Sequence, residues 1–207
     1  MGGEDIAGVL KFYYHSPRSE LPIPDFAGDR NDKGSKKTEP HFLPDNMVAE
    51  NFLKTCYPRN IKAVIDMDLP YLFWVTRKQE ENSKIKNSQV VIGYLEVASH
   101  EMREDTVSGT ELTGKPHHTI YGKGHLYAFD NAIETREIFG KVLTRVDFTH
   151  RFHVSHAQAE RMLDHFSELD DIVHQCADEI ARLDVKGYTC FPEICPVKQG
   201  CALYHNL

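Results

Sequence analysis

Tyr71-Leu-Phe-Trp-Val-Thr-Arg77 and, after the polar stretch 78–88, Gln89-Val-Val-Ile-Gly-Tyr-Leu-Glu-Val97 set the fold class of this chain. Both runs are β-branched and aromatic, the residue types that fit a pleated, half-buried surface. The polar stretch between them predicts a long hairpin connection. Upstream, residues 9–14 form a short apolar and aromatic run ended by Pro17, which reads as a first strand. Downstream, residues 117–129 alternate apolar positions with Gly122 and Gly124, predicting a strand with a bulge or tight bend. Residues 142–154 alternate again, with Val142, Thr144, Val146 and Phe148 on one face and Arg145, Asp147 and Thr149 on the other. Four or five strands with few helices between them predict an α+β fold, built on a small, mostly antiparallel sheet or barrel.

Helices are expected on either side of this β-rich middle. Asp45 follows Pro44 and is placed to cap a helix over 46–57, whose apolar residues Val48, Phe52, Leu53 and Cys56 recur at helical spacing. Residues 16–40 are dense in Pro, Gly, Asp, Lys and Ser and read as a long surface loop. Ser155-His-Ala-Gln158 is a capping box, with Val154 positioned to staple onto Ala159 and an apolar face of Ala159, Met162, Leu163 and Phe166. A second C-terminal helix over 169–183 carries Ile172, Val173, Cys176, Ile180 and Leu183 along one stripe, which predicts that Cys176 is packed as a small hydrophobe. The chain thus divides into a β-rich body (1–154), a helical pair (155–184) and a tail (185–207).

Bulk composition narrows the function classes. A chain of 207 residues, 41% hydrophobic and 27% charged, has enough apolar material for one core and a small appendix. No run approaches the ~20 apolar residues of a membrane span. The opening Met1-Gly-Gly-Glu-Asp-Ile6 lacks the basic and apolar regions of a secretory signal, and Ile6 stands where a myristoylation motif wants Ser or Thr. A cytoplasmic or nuclear location follows as the expectation, with the five cysteines reduced and available as ligands. Net charge is −7, and the segment 155–184, with eight acids against two bases, supplies −6 of it. An acidic helical surface of this kind suits a basic protein partner, which makes a protein–protein adaptor one functional reading.

The tail adds a metal chemistry. Cys190, Cys195, Cys201 and His205 lie at C-x4-C-x5-C-x3-H spacing, with Pro192, Pro196 and Gly200 suited to tight turns. Four such donors match a tetrahedral zinc ion with thiolates at ~2.3 Å, and metal binding would supply folding free energy that so short a segment lacks. An alternative set takes Cys176 as the fourth thiolate, with Cys190, Cys195 and Cys201, around an iron–sulfur cluster. The end of the tail, Cys195-Pro-Val-Lys-Gln-Gly-Cys201-Ala-Leu-Tyr204-His205, resembles a CCCH zinc finger. That resemblance implies Cys190, Cys195, Cys201 and His205 as ligands, and Tyr204 or Phe191 as residues that stack on single-stranded RNA.

The two opening strands, with Val142-Leu-Thr-Arg-Val-Asp-Phe148 after them, resemble the small PUA-like barrels of EVE, ASCH and YTH relatives. Such domains hold a flipped or single-stranded base between aromatic walls. The resemblance implies Trp74 and Tyr94 as the walls and Arg77 and Arg145 as phosphate contacts. Together these features give an expected nucleic-acid-binding protein, recognising a single-stranded or modified base in RNA or single-stranded DNA. The competing expectation is an iron–sulfur or zinc enzyme of nucleic-acid or nucleotide metabolism, with an acid–base centre drawn from Asp147, His150, Arg151 and His153. Nucleotide-binding glycine loops and the common hydrolase motifs are absent from the sequence.

Overall fold

The computed structural model describes residues 5–13, 15–23, 43–44, 52–56, 62–77, 89–103, 117–144, 147 and 153–182. Its strands are β1 (Ile6–Phe12), β2 (Leu43–Pro44), β3 (Phe52–Cys56), β4 (Tyr71–Arg77), β5 (Gln89–Arg103), β6 (His117–Leu126), β7 (Ile133–Glu134) and β8 (His153–Ser155). Its helices are α1 (Lys62–Asp66), α2 (Thr135–Phe139), α3 (His156–Phe166) and α4 (Val173–Arg182). Among the described residues no helix is long and apolar enough to cross a membrane.

One mixed sheet runs in the order β2-β3-β6-β5-β4-β1-β8. Every pairing is antiparallel except that of β1 with β4. Of the two forms expected, sheet or barrel, it is the open sheet that is observed among the described residues, with β2 and β8 at its ends. Where β6 leaves β5 at the Gly93–Leu126 pair, the chain detours through a 3-10 turn and returns as β7, which takes over pairing with Val90 and Val91.

The sheet is covered on both faces. On one, Val9, Leu72, Trp74, Ile92, Leu95 and Leu126 meet Ala63 and Val64 of α1, and Val173 and Cys176 of α4. On the other, Leu10, Phe73, Val75, Val91 and Tyr94 meet Ala159, Met162 and Phe166 of α3, with Ile138 of α2. The connection between α3 and α4 therefore passes from one face to the other, and Ile172 N–H donates to the Leu126 carbonyl at the end of β6 as it crosses (2.8 Å).

The capping box opens α3 as the sequence predicts. Gln158 N–H donates to Ser155 Oγ at 3.4 Å, and Ser155 N–H donates to Gln158 Oε1 at 3.0 Å. Of the bulge or tight bend expected near Gly122, a bulge is observed, carried by the partner strand, where the β5 register slips between Val97 and Ser99 opposite it. A Cβ on Gly122 would overlap the Glu96 carbonyl oxygen, so glycine is what lets β6 approach this bulge.

Three expectations need correction. Residues 52–56 form β3 on the edge of β6 rather than the end of a helix. Their apolar spacing suits a helix, but it runs over few residues, and the free ladder of β6 supplies non-local hydrogen bonds that propensity cannot anticipate. The rest of the proposed helix lies outside the described residues.

Of residues 142–154, the described 142–144 and 147 are likewise outside any strand, and only His153–Ser155 is extended in the sheet. Leu143 is buried while Val142 is 43% exposed, the reverse of the predicted faces. Gln89 accounts for the change: its side chain donates to the Leu143 carbonyl and accepts from the Leu143 N–H, both at 2.7 Å, and so stands in for a neighbouring strand. Asp147 then ends any extended run by accepting from the Thr144 N–H (2.6 Å) and hydroxyl (2.8 Å).

The start of the supposed surface loop is also part of the core. Ile23 is fully buried, Tyr13 Oη donates to the Pro22 carbonyl at 2.5 Å, and Ser16 N–H donates to the Ile23 carbonyl at 2.9 Å.

Candidate functional site

Strand alternation and cross-strand register build two parallel rows of side chains on the α3 face. The inner row is Phe73, Tyr94 and His125, joined by the pairs Phe73–Tyr94 and Tyr94–His125. The outer row, one step along each strand, is Tyr71, Glu96 and Lys123, joined by the pairs Tyr71–Glu96 and Glu96–Lys123. Directly opposed residues hold their Cβ atoms ~4.5–5.5 Å apart, so each row is a contiguous strip of chemistry.

The inner row is closed over. Tyr94 lies flat on the His125 imidazole, centroids 4.6 Å apart and planes 21° apart. Phe166, the last residue of α3, covers Tyr94 at 6.3 Å and stacks on Tyr127 at 4.3 Å with planes 2° apart. Burial raises the pKa of both Tyr94 and Tyr127, and the two hydroxyls share a hydrogen bond, so both phenols stay neutral.

Asp171, in the α3–α4 connection, ties this row to the backbone. Its Oδ1 accepts from the Val173 N–H at 2.8 Å and the Leu126 N–H at 3.4 Å, while Oδ2 lies 2.9 Å from His125 Nδ1. On its far side, His125 Nε2 is 3.6 Å from Glu96 Oε1. Asp171 Oδ2 and His125 Nε2 are buried atoms without a hydrogen-bond partner among the described residues, so the 2.9 Å approach is a proximity of charge-bearing groups rather than a directed hydrogen bond.

The outer row stays open. Tyr71 is half-buried, held edge-on to Tyr94 with centroids 6.1 Å apart and planes at 79°. Glu96 keeps 49% of its side chain exposed, and Lys123 is exposed. An aromatic ring, an acceptor and a cation thus stand side by side at the edge of the helical cover.

The residues expected from sequence are distributed differently. Trp74 is fully buried on the opposite face, beneath α1 and α4, so it does not share a surface with Tyr94. Arg77 ends β4 and is half-buried. Arg145, Tyr204 and the proposed ligands Cys190, Cys195, Cys201 and His205 lie outside the described residues, as do His150 and Arg151.

Cys176 lies in the core against the sheet, and burial, then Asp171 and Glu179, push its thiol up to about 12. At neutral pH burial therefore holds it as the protonated thiol. Among the described residues no group of three or more His, Cys, Asp and Glu side chains is placed to hold a metal ion. Asp147 is occupied by Lys141 at 2.7 Å and by Thr144, which hold its carboxyl at about 2. His153 is exposed on the edge strand β8.

Tyr71, Glu96, Lys123, His125 and Asp171 are the residues that sequence reasoning missed. Alternation already places Tyr94 with Glu96, and Lys123 with His125, but nothing in the sequence states the register that sets the two pairs side by side. Comparison of the chain with family models, with curated proteins and with solved structures gives no match, so the site is read from its own chemistry.

Proposed function

We propose that this protein binds single-stranded nucleic acid, taking a base onto the outer row of the α3 face. The observation that supports this reading is the open strip of Tyr71, Glu96 and Lys123 beside a closed aromatic layer. Tyr71 offers a stacking surface whose tilt is fixed by Tyr94, and base–aromatic stacking contributes ~1–3 kcal/mol per base. Tyr94 serves as the wall behind that surface. The resemblance of strands β4 and β5 to PUA-like domains points the same way. Lys123 and Arg77 are cations placed to meet phosphate, and Arg145, outside the described residues, is proposed as a third.

The test is fluorescence anisotropy with labelled nonameric RNA and DNA over a range of salt. Binding should weaken with salt at about −0.7 log units per neutralised phosphate, hence no more steeply than about −2 for three cations. Absence of association at low salt would end the reading. In the same proposal the tail carries a structural zinc on Cys190, Cys195, Cys201 and His205, and metal analysis of the purified chain should find about one zinc per chain. A brown protein would replace zinc by an iron–sulfur cluster.

A second reading, an acid–base enzyme, is favoured by the carboxylate–imidazole approach of Asp171 and His125. In it Asp171 and Glu96 flank the imidazole on its Nδ1 and Nε2 sides as the charged neighbours of a proton-transferring ring, which must first be uncovered. His125→Ala would then abolish turnover while leaving oligonucleotide affinity in place.

A further inference from the structure

We infer that the outer row selects guanine, with Glu96 and Lys123 together reading the Watson–Crick edge of a base stacked on Tyr71. This inference rests on the base-binding reading and adds to it the identity of the base. A carboxylate on a surface that receives a polyanion repels phosphate, and this cost needs a compensating contact. Glu96 has open acceptor capacity: its one ion-pair neighbour among the described residues is His125, at 3.6 Å. Ionised, it presents two acceptor oxygens and no donor. Lys123, directly opposite on β6, presents donors and no acceptor. The pair therefore offers acceptor, acceptor and donor in order across two adjacent strands.

Guanine offers the complement, with N2–H and N1–H as neighbouring donors and O6 as the adjoining acceptor. N1–H and N2–H meet the two oxygens of Glu96 as a charge-assisted bidentate contact, and O6 accepts from the Lys123 ammonium. No other base fits both groups. Adenine and cytosine each place a ring-nitrogen acceptor beside their single amino group, where it would face a carboxylate oxygen. Uracil has one N–H between two carbonyls. Tyr71, on the opposite side of Glu96 from Lys123, places the stacked ring at the start of the same row.

The experiment uses the full chain and uridine nonamers whose central residue is guanosine, inosine or adenosine. The guanosine oligomer should bind roughly tenfold or more tightly than the adenosine one, the discrimination expected of a good bidentate contact. Inosine, which lacks the N2 amino group, should fall between them. Glu96→Gln should bring the guanosine and adenosine affinities to within about twofold, because the amide keeps one acceptor and adds a donor. Tyr71→Ala should weaken all three oligomers by a common factor. Equal affinity for guanosine and adenosine, or a preference that survives Glu96→Gln, overturns the guanine assignment and leaves base binding standing. Failure of every oligomer to bind overturns both. A denaturation midpoint for Glu96→Gln matching the parent protein establishes that a lost preference is not lost folding.

Discussion

On one face of the sheet Trp74, Leu72 and Leu95 lie fully buried under α1, α4 and residues 15–23, while on the other Phe166 covers Tyr94 and Tyr127 but leaves Tyr71, Glu96 and Lys123 at the margin. The same strands supply both layers. Within β4, Trp74 and Phe73 are adjacent in sequence and face opposite ways, and within β5 so are Leu95 and Glu96. What separates a core position from a surface of exchange is how far the covering helix reaches, and α3 ends at Phe166. An aromatic residue in a strand therefore has no fixed role. Trp74 is packing, and Tyr71, three residues away, is half-buried at the margin of the cover.

The contrast can be broken most directly at Trp74. Trp74→Ala should cost about 3–5 kcal/mol, read from chemical denaturation, as a large aromatic lost from a closed layer. A loss below about 1 kcal/mol would show that this face is not closed. Gly93→Ala comes next: its φ of +155° and the overlap of a new Cβ with the His125 carbonyl oxygen predict a loss of about 1–3 kcal/mol from a forced shift of β6. Since His125 would move with β6, the tyrosine near-ultraviolet signal should change as well. An unchanged signal and midpoint would contradict the close strand approach.

Effects on the open face should be smaller in stability and larger in binding. Tyr71→Ala is expected to cost no more than about 1 kcal/mol of stability, the scale of one cross-strand pair, yet to lower oligonucleotide affinity about fivefold or more. If stability falls as far as in Trp74→Ala, the two faces are equivalent and the distinction fails. Ser155→Ala, which removes the cap of the helix that covers this face, should cost about 1 kcal/mol and expose Phe166 to quenchers.

The smallest effect belongs to pH. Asp147 has a folded value of about 2 against an ordinary value near 3.9, so its cap on Thr144 is fully stabilising above the ordinary range and fades as pH falls toward 2. The Thr144 amide resonance should titrate within that window. A midpoint near 4 would mean that neither Lys141 nor Thr144 holds the carboxylate.

Legibility followed the range of the interactions. The capping box at Ser155, the α3 face of Ala159, Met162 and Phe166, and the strands β4 and β5 are announced by patterns between near neighbours, and Ile172, Val173 and Cys176 keep to the core as their spacing predicts. The strand at 52–56, the burial of Leu143 and the folded-back segment 15–23 depend on partners far along the chain: β6, Gln89, and the core around Tyr13. Local pattern misread each of them for the same reason. The pairing of Trp74 with Tyr94 as two walls of one site failed on parity, because the β-bulge opposite Trp74 shifts the count between β4 and β5.

By itself the sequence determined an α+β chain with an acidic helical segment, a capped helix after residue 155, and a row of aromatic strands to be buried, since apolar periodicity and capping act between near neighbours. Only the tertiary structure decided that Tyr71, Glu96 and Lys123 stand abreast, that α3 covers one row and leaves the next open, and that Asp171 reaches His125. Register and helix placement are settled by the packing of distant segments on a shared sheet, where a slip of one residue would turn every side chain to the other face.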